Sequence, residues 1–149
     1  MNRRELARAL SNPESIVSAE RPSEPWCVLG VTGAPGVGKS CLVDHIVQKW
    51  LDIGERVAIL AVDPSSPITG GALLGDRMRM SSVDDGESVF FRSIATRNLP
   101  GGVPSHLNRM VDLLIEQGWT KVIIETVGAG QYEIRVVAVA DRILLVEGP

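Results

Sequence analysis

The chain is poor in the residues that organise redox and disulfide chemistry. Of its 149 residues, two are cysteine and two are histidine, which excludes a disulfide scaffold and a histidine-rich metal centre. Cys27 and Cys41 fall on the expected first strand and first helix, where they read as small buried hydrophobes. Aromatic residues make up 4% of the chain, and Trp26, Trp50 and Trp119 read as core or boundary packing. Positive charge is not in excess: 15 Lys and Arg against 18 Asp and Glu give a formal net charge of −3. Such a balance offers no polycationic surface, so nucleic acid is not an expected partner. No apolar run approaches the roughly 18 to 20 residues of a membrane span. The first residues lack the apolar core of a signal peptide. Glu5, Glu14 and Glu20 argue against an organelle transit peptide despite Arg3, Arg4 and Arg8. The expected location is the cytoplasm, with no membrane partner.

What the chain does have is an alternation of continuous apolar runs with amphipathic stretches. Residues 1–25 read as a lead-in, a short helix carrying Leu6, Ala9 and Leu10 on one side, then a polar, proline-containing stretch. Residues 26–149 read as one domain. Strands are expected at 26–31, 57–62, 89–91, 121–125 and 142–146, and helices at 39–51, 104–117 and 134–140, with Gly54 and Gly118 closing the first two. The strands at 121–125 and 142–146 read as buried. Unbroken Val/Ile/Leu strands separated by helices imply an α/β fold, a mainly parallel sheet covered on both faces. In such sheets ligands sit beyond the carboxyl ends of the strands.

At the end of the first strand the sequence reads GAPGVGKS, Gly33, Ala34, Pro35, Gly36, Val37, Gly38, Lys39 and Ser40. The β- and γ-phosphates of a nucleotide must be wrapped by backbone N–H groups at close range, and glycines leave that room. Lys39 can reach the β/γ-oxygens, and the Ser40 hydroxyl can bind a bridging magnesium ion. The strand before and the helix after supply the setting that a phosphate loop requires, and Cys41 follows directly as part of the same segment.

Two further strand ends carry acids. Asp63 opens a long Pro/Ser/Gly-rich loop, where Asp-Pro is also ordinary turn chemistry. Asp76 lies thirteen residues on, a magnesium ligand or a solvated surface acid. In KVIIETVG, Glu125 ends a strand and Gly128 follows, the pattern of an acid that holds magnesium and a glycine whose N–H can approach a γ-phosphate. Gln131 can orient an attacking water or be a plain loop glutamine. Arg92 and Arg97 can neutralise phosphate charge or form surface ion pairs. His45 and His106 have no partner pattern.

Together, GAPGVGKS, AVDPSSPITGGALLGDRMRM, FFRSIATRNLPGG and ETVGAGQYE resemble the MeaB/ArgK type of P-loop GTPase, whose members act as chaperones for adenosylcobalamin-dependent methylmalonyl-CoA mutase. Some members are also labelled arginine/ornithine transport ATPases or kinases. The resemblance runs from Arg4 onward and is most specific in the DPSSP…GGALLGDR block. It implies GTP and GDP as ligands, Mg2+ as cofactor, an acyl-CoA mutase as partner, and a magnesium site of Ser40, Asp63, Asp76 and Glu125 with Lys39 on the phosphates. Cys41 and Tyr132 depart from the Thr and Ser more usual in the family.

By the same resemblance, members continue into a third switch, a guanine-reading Asn-Lys-x-Asp segment and a helical dimerisation region, none of which occurs in these 149 residues. The chain is therefore expected to be the front part of a G domain, and the family's homodimer stays open. Because residues 33–128 address groups that ATP and GTP share, the 149-residue chain is expected to separate the two by less than about tenfold. Three functional readings follow: a magnesium-dependent GTPase, a nucleotide-binding module without useful turnover, and an ATP-dependent kinase or ATPase of related fold. The partitioning ATPases carry a lysine where this chain has Ala34, which argues against that branch.

Overall fold

Strands of Val, Ile, Leu and Ala that bury both faces need helices on each side, and the computed structural model has this architecture. It describes residues 1–18, 20, 21, 25–34, 36–63, 87–95, 103–126, 135 and 138–149. The elements are α1 (Arg3–Leu10), a 3-10 turn (Pro13–Ser15), β1 (Val28–Thr32), α2 (Lys39–Asp52), β2 (Val57–Asp63), β3 (Val89–Ala95), α3 (Val103–Glu116), β4 (Lys121–Thr126) and β5 (Arg142–Leu145). The strands form one sheet in the order β3-β2-β4-β1-β5, every pairing parallel. Among the described residues no helix is long and apolar enough to cross a membrane.

The helix boundaries follow from local chemistry. α1 opens on a capping box, the Asn2 side chain accepting the Glu5 N–H at 2.9 Å and the Glu5 carboxylate accepting the Asn2 N–H at 2.8 Å. α2 and α3 close in the same way. Gly54 and Gly118 both sit at φ 86°, and the residues after them, Glu55 and Trp119, donate back to Trp50 and Leu114. This is a left-handed cap that any side chain would strain.

Alternation along the strands sends side chains to two cores. On one face Val28, Leu60, Val62, Val122 and Ile124 pack with Leu6 and Leu10 of α1 and Leu107, Val111 and Leu114 of α3. On the other, Leu29, Val31, Ile59 and Ile123 pack with Val43 and Val47 of α2. The three tryptophans pack as expected: Trp119 is buried, and Trp26 meets Trp50 edge-on at 6.1 Å.

Several expectations are corrected. β5 is an exposed edge rather than a buried strand: Ile143 and Leu145 are 56% and 59% exposed. Among the described residues β5 pairs only with β1, and only Leu144 and the following Val146 reach the α2-side core. β3 runs four residues beyond the expected 89–91, since an edge strand tolerates Ser93 and Arg92, which break its apolar run. The helix expected at 134–140 does not reach its end, because residues 138–140 form a turn into β5. The turn is fixed where the Asp141 N–H donates to the Val28 carbonyl and the Asp141 carboxylate accepts the N–H groups of Cys27 and Val28. Burial, reinforced by that carboxylate, raises the Cys27 thiol pKa. Cys41, expected to be buried, is exposed on α2 with its sulfur 3.8 Å from His45 Nδ1.

Arg92 is committed to α1, not to a phosphate. Its guanidinium donates to the Ala7 carbonyl at 2.7 Å and to the Ser11 hydroxyl at 2.8 Å, and burial lowers its pKa. Arg92→Met keeps the apolar stem but drops both bonds. It is expected to destabilise the fold by about 1.5 to 3 kcal/mol, the range for hydrogen bonds from a charged group. Urea denaturation should show a lower midpoint at unchanged slope; an unaltered midpoint would mean that α1 is seated without Arg92.

Candidate functional site

The carboxyl ends of β1 and β4 lie side by side at the centre of the sheet, in register from Val28↔Val122 to Val31↔Glu125. β1 passes directly into the glycine-rich loop, and Lys39 and Ser40 open α2 on the far side of it. Gly33, Gly36 and Gly38 have φ of 145°, 77° and 93°, backbone shapes that glycine alone adopts without strain. Gly33 meets a second constraint, since a Cβ there would lie 2.1 Å from the Val146 carbonyl oxygen. The chain after β5 closes over this point: the Val146 N–H donates to the Thr32 carbonyl at 2.8 Å. At Gly36 and Gly38 a Cβ would meet nothing within 4 Å. Around these two positions the described residues leave room, as a phosphate cradle requires. Gly38 is the N-cap of α2 and offers no side chain to its first N–H groups, which therefore face outward as donors for an anion. Ala34 is exposed and Val37 half-buried beside Gly148.

Lys39 is buried, 8% exposed. Its ammonium donates to the Gly33 and Thr126 carbonyls, the latter at 3.0 Å. An ammonium carries three N–H donors, so a third remains for an anionic oxygen. The Ser40 hydroxyl lies 3.5 Å from Glu125 Oε1. Glu125 shares the α2-facing side of β4 with Ile123 and is 7% exposed. It stands opposite Val31 on one side and Ala61 on the other. A hydroxyl and a carboxylate oxygen so placed suit a hard divalent cation, whose neighbouring oxygen ligands at about 2.1 Å are themselves about 3 Å apart.

The structure therefore brings together Gly33, Gly36, Gly38, Lys39, Ser40 and Glu125. Asp63 closes β2, one position past the Val62↔Thr126 pair of the β2–β4 ladder, so its backbone reaches the same end of the sheet. Pro35, Asp76, Arg97, Gly128 and Gln131 lie outside the described residues. Cys41 is next to the loop on the exposed side of α2. Sequence reasoning missed two threonines. Thr126, 2% exposed, supplies a carbonyl to Lys39 and places its hydroxyl 3.3 Å from that of Thr32. The available signal was the polar residue at each strand's end, directly before Gly33 and directly after Glu125.

This fold and site have known relatives. The signal recognition particle receptor FtsY from Elizabethkingia anophelis superposes with a TM-score of 0.57 at 19% identity, covering 95% of this chain and 47% of that one. The shared architecture is that of the P-loop nucleoside triphosphatases. GTPase ArgK of Escherichia coli is 41% identical over 121 residues, 78% of this chain and 37% of ArgK. A fused isobutyryl-CoA mutase of Nocardia farcinica is 45% identical over 127 residues, 82% of this chain and 12% of that protein. The chain spans 35% to 38% of the length of the curated GTPases it matches. Residues 16–149 match the family model described as methylmalonyl-CoA mutase-associated GTPase MeaB. With nearly its whole length matched and the loop, lysine and strand-end acid in place, the chain belongs to the MeaB family of P-loop GTPases.

Proposed function

We propose that the protein is a cytoplasmic, magnesium-dependent GTP-binding and GTP-hydrolysing protein that reports its nucleotide state to an adenosylcobalamin-dependent acyl-CoA mutase. The observation that carries this reading is one cluster at the ends of β1 and β4: a buried ammonium on two carbonyls, an open loop of positive-φ glycines, and a serine hydroxyl 3.5 Å from a buried carboxylate. In this reading Gly33 to Ser40 wrap the β- and γ-phosphates with backbone N–H groups, and the third Lys39 donor takes a phosphate oxygen. Ser40 and Glu125 would hold magnesium, and Asp63 and Asp76 would complete the oxygen set directly or through water. Bound magnesium would neutralise the charge developing on the phosphates. Gly128 would sense the γ-phosphate and Gln131 would orient the attacking water. The mutase partner is supported by family membership and by relatives that carry this segment within a fused isobutyryl-CoA mutase.

Lys39→Ala and Ser40→Ala are each expected to weaken magnesium–triphosphate binding by about 1.5 to 3 kcal/mol, the value of a charge-assisted contact. Calorimetric titration with GTP decides it, and equal affinity in wild type and both variants would remove the assignment. Glu125→Gln is nearly isosteric and is expected to keep the fold, which a melting curve checks. It is expected to raise the magnesium concentration needed for half-maximal nucleotide binding by about tenfold or more. A magnesium titration that superposes on wild type would count against the metal role. For the partner, an extended form of this protein is expected to bind the methylmalonyl-CoA-type mutase encoded nearest to it with nucleotide-dependent affinity. Pull-down and calorimetry showing no interaction in the GTP, GDP and nucleotide-free states would dismiss it.

A further inference from the structure

Beyond the loop and the acid, the same cluster contains a closed ring. Thr32 and Thr126 each stand one residue past the last β1–β4 pair, Val31↔Glu125, and are paired there with β5 and β2 instead. Their side chains share the face opposite Glu125, the face of Val28 and Ile124, and the Thr126 hydroxyl donates to that of Thr32 at 3.3 Å. Thr32 is bonded to Gly33, whose carbonyl accepts from Lys39; Lys39 donates also to the Thr126 carbonyl. The circuit therefore runs from Thr32 through Gly33, Lys39 and Thr126 back to Thr32. The two carbonyls that grip the ammonium thus belong to strand ends that a hydroxyl contact bridges on the opposite face of the sheet. Fixing two of the three N–H directions fixes the third.

We propose that Thr32 and Thr126 are positioning residues. Their hydroxyl contact aims the free N–H of Lys39 at the terminal phosphate and so sets the protein's preference for triphosphate over diphosphate. The inference rests on the reading that Lys39 contacts the phosphates. Threonine suits the task because it is β-branched, like the valines around it, and adds one hydroxyl to a strand end without changing its shape. Valine keeps the β-branched shape at either position, so the valine variants are expected to fold.

The test is a set of paired affinities, GTPγS and GDP, measured with magnesium on the 149-residue chain for wild type, Thr32→Val, Thr126→Val, the double valine variant, Thr126→Ser and Lys39→Ala, each with its melting temperature. Each valine variant is expected to lower the ratio of GTPγS to GDP affinity by about two- to tenfold, the scale of one neutral hydrogen bond. Thr126→Val, which removes the donor of the contact, should show the loss by itself, and the double variant should show at least the same loss. Thr126→Ser should keep the wild-type ratio. Valine variants with the wild-type ratio, or ones losing both nucleotides equally in step with a fall in melting temperature, would overturn the proposal and leave a merely structural pair. If Lys39→Ala itself binds GTPγS as wild type does, the phosphate reading falls and this inference with it. If Lys39→Ala loses affinity and the valine variants do not, this inference alone falls.

Discussion

The structure depends on keeping one positive charge out of water. Lys39 sits 8% exposed at the start of a helix, where the helix dipole disfavours a cation and burial disfavours any charge that is not satisfied. Two backbone carbonyls meet that cost, one from the chain leaving β1 and one from the last residue of β4. Each constraint around the site serves this arrangement. β1 and β4 must be adjacent and parallel, the loop must double back within six residues, and the β4 carbonyl must not slip along its strand. A third strand is drawn in as well, since the chain after β5 donates to Thr32 and lies against Gly33.

The sheet order follows from the same demand. With β4 inserted between β1 and β2, the acid-bearing strand becomes the immediate neighbour of the strand that launches the loop. The parity of β4 then sends Glu125 to the α2 face, towards Ser40, and Thr126 to the other face, towards Thr32. Two consecutive residues thus hold the loop from both sides of the sheet. A one-residue change of register would exchange their positions and put a carboxylate into the apolar cluster beneath α3.

Much of this was legible in the chain. Unbroken runs such as VAILAV and KVIIE announce strands buried on both faces, Gly54 and Gly118 announce helix ends, and GAPGVGKS announces its own geometry because the demands on it are local. Less legible was whatever depends on a strand's place in the sheet. RILL in β5 is as apolar as the central strands, yet it lies at an edge, and nothing in four residues encodes which neighbours they receive. Arg92 read equally well as a phosphate ligand and as a surface ion-pair partner, and instead holds α1, 85 residues away in sequence. The two threonines escaped because each looks like ordinary β-branched filling until the fold brings their hydroxyls together.

The contact between Gly33 and the chain after β5 bears on how this loop can diverge among descendants of a common ancestor. Gly36 and Gly38 are limited only by backbone sign, at φ of 77° and 93° with nothing near a Cβ, so asparagine or aspartate is an accessible mutational step where the bound ligand leaves room. Gly33 has no such neighbour in sequence space. Its φ of 145° lies outside the left-handed well, and its missing Cβ is the space into which the Val146 carbonyl fits. A tolerated replacement there would require the end of β5 to move at the same time, so the two sites can change only together. Position 33 is therefore held by the fold itself, whereas positions 36 and 38 are held by backbone sign and by the ligand.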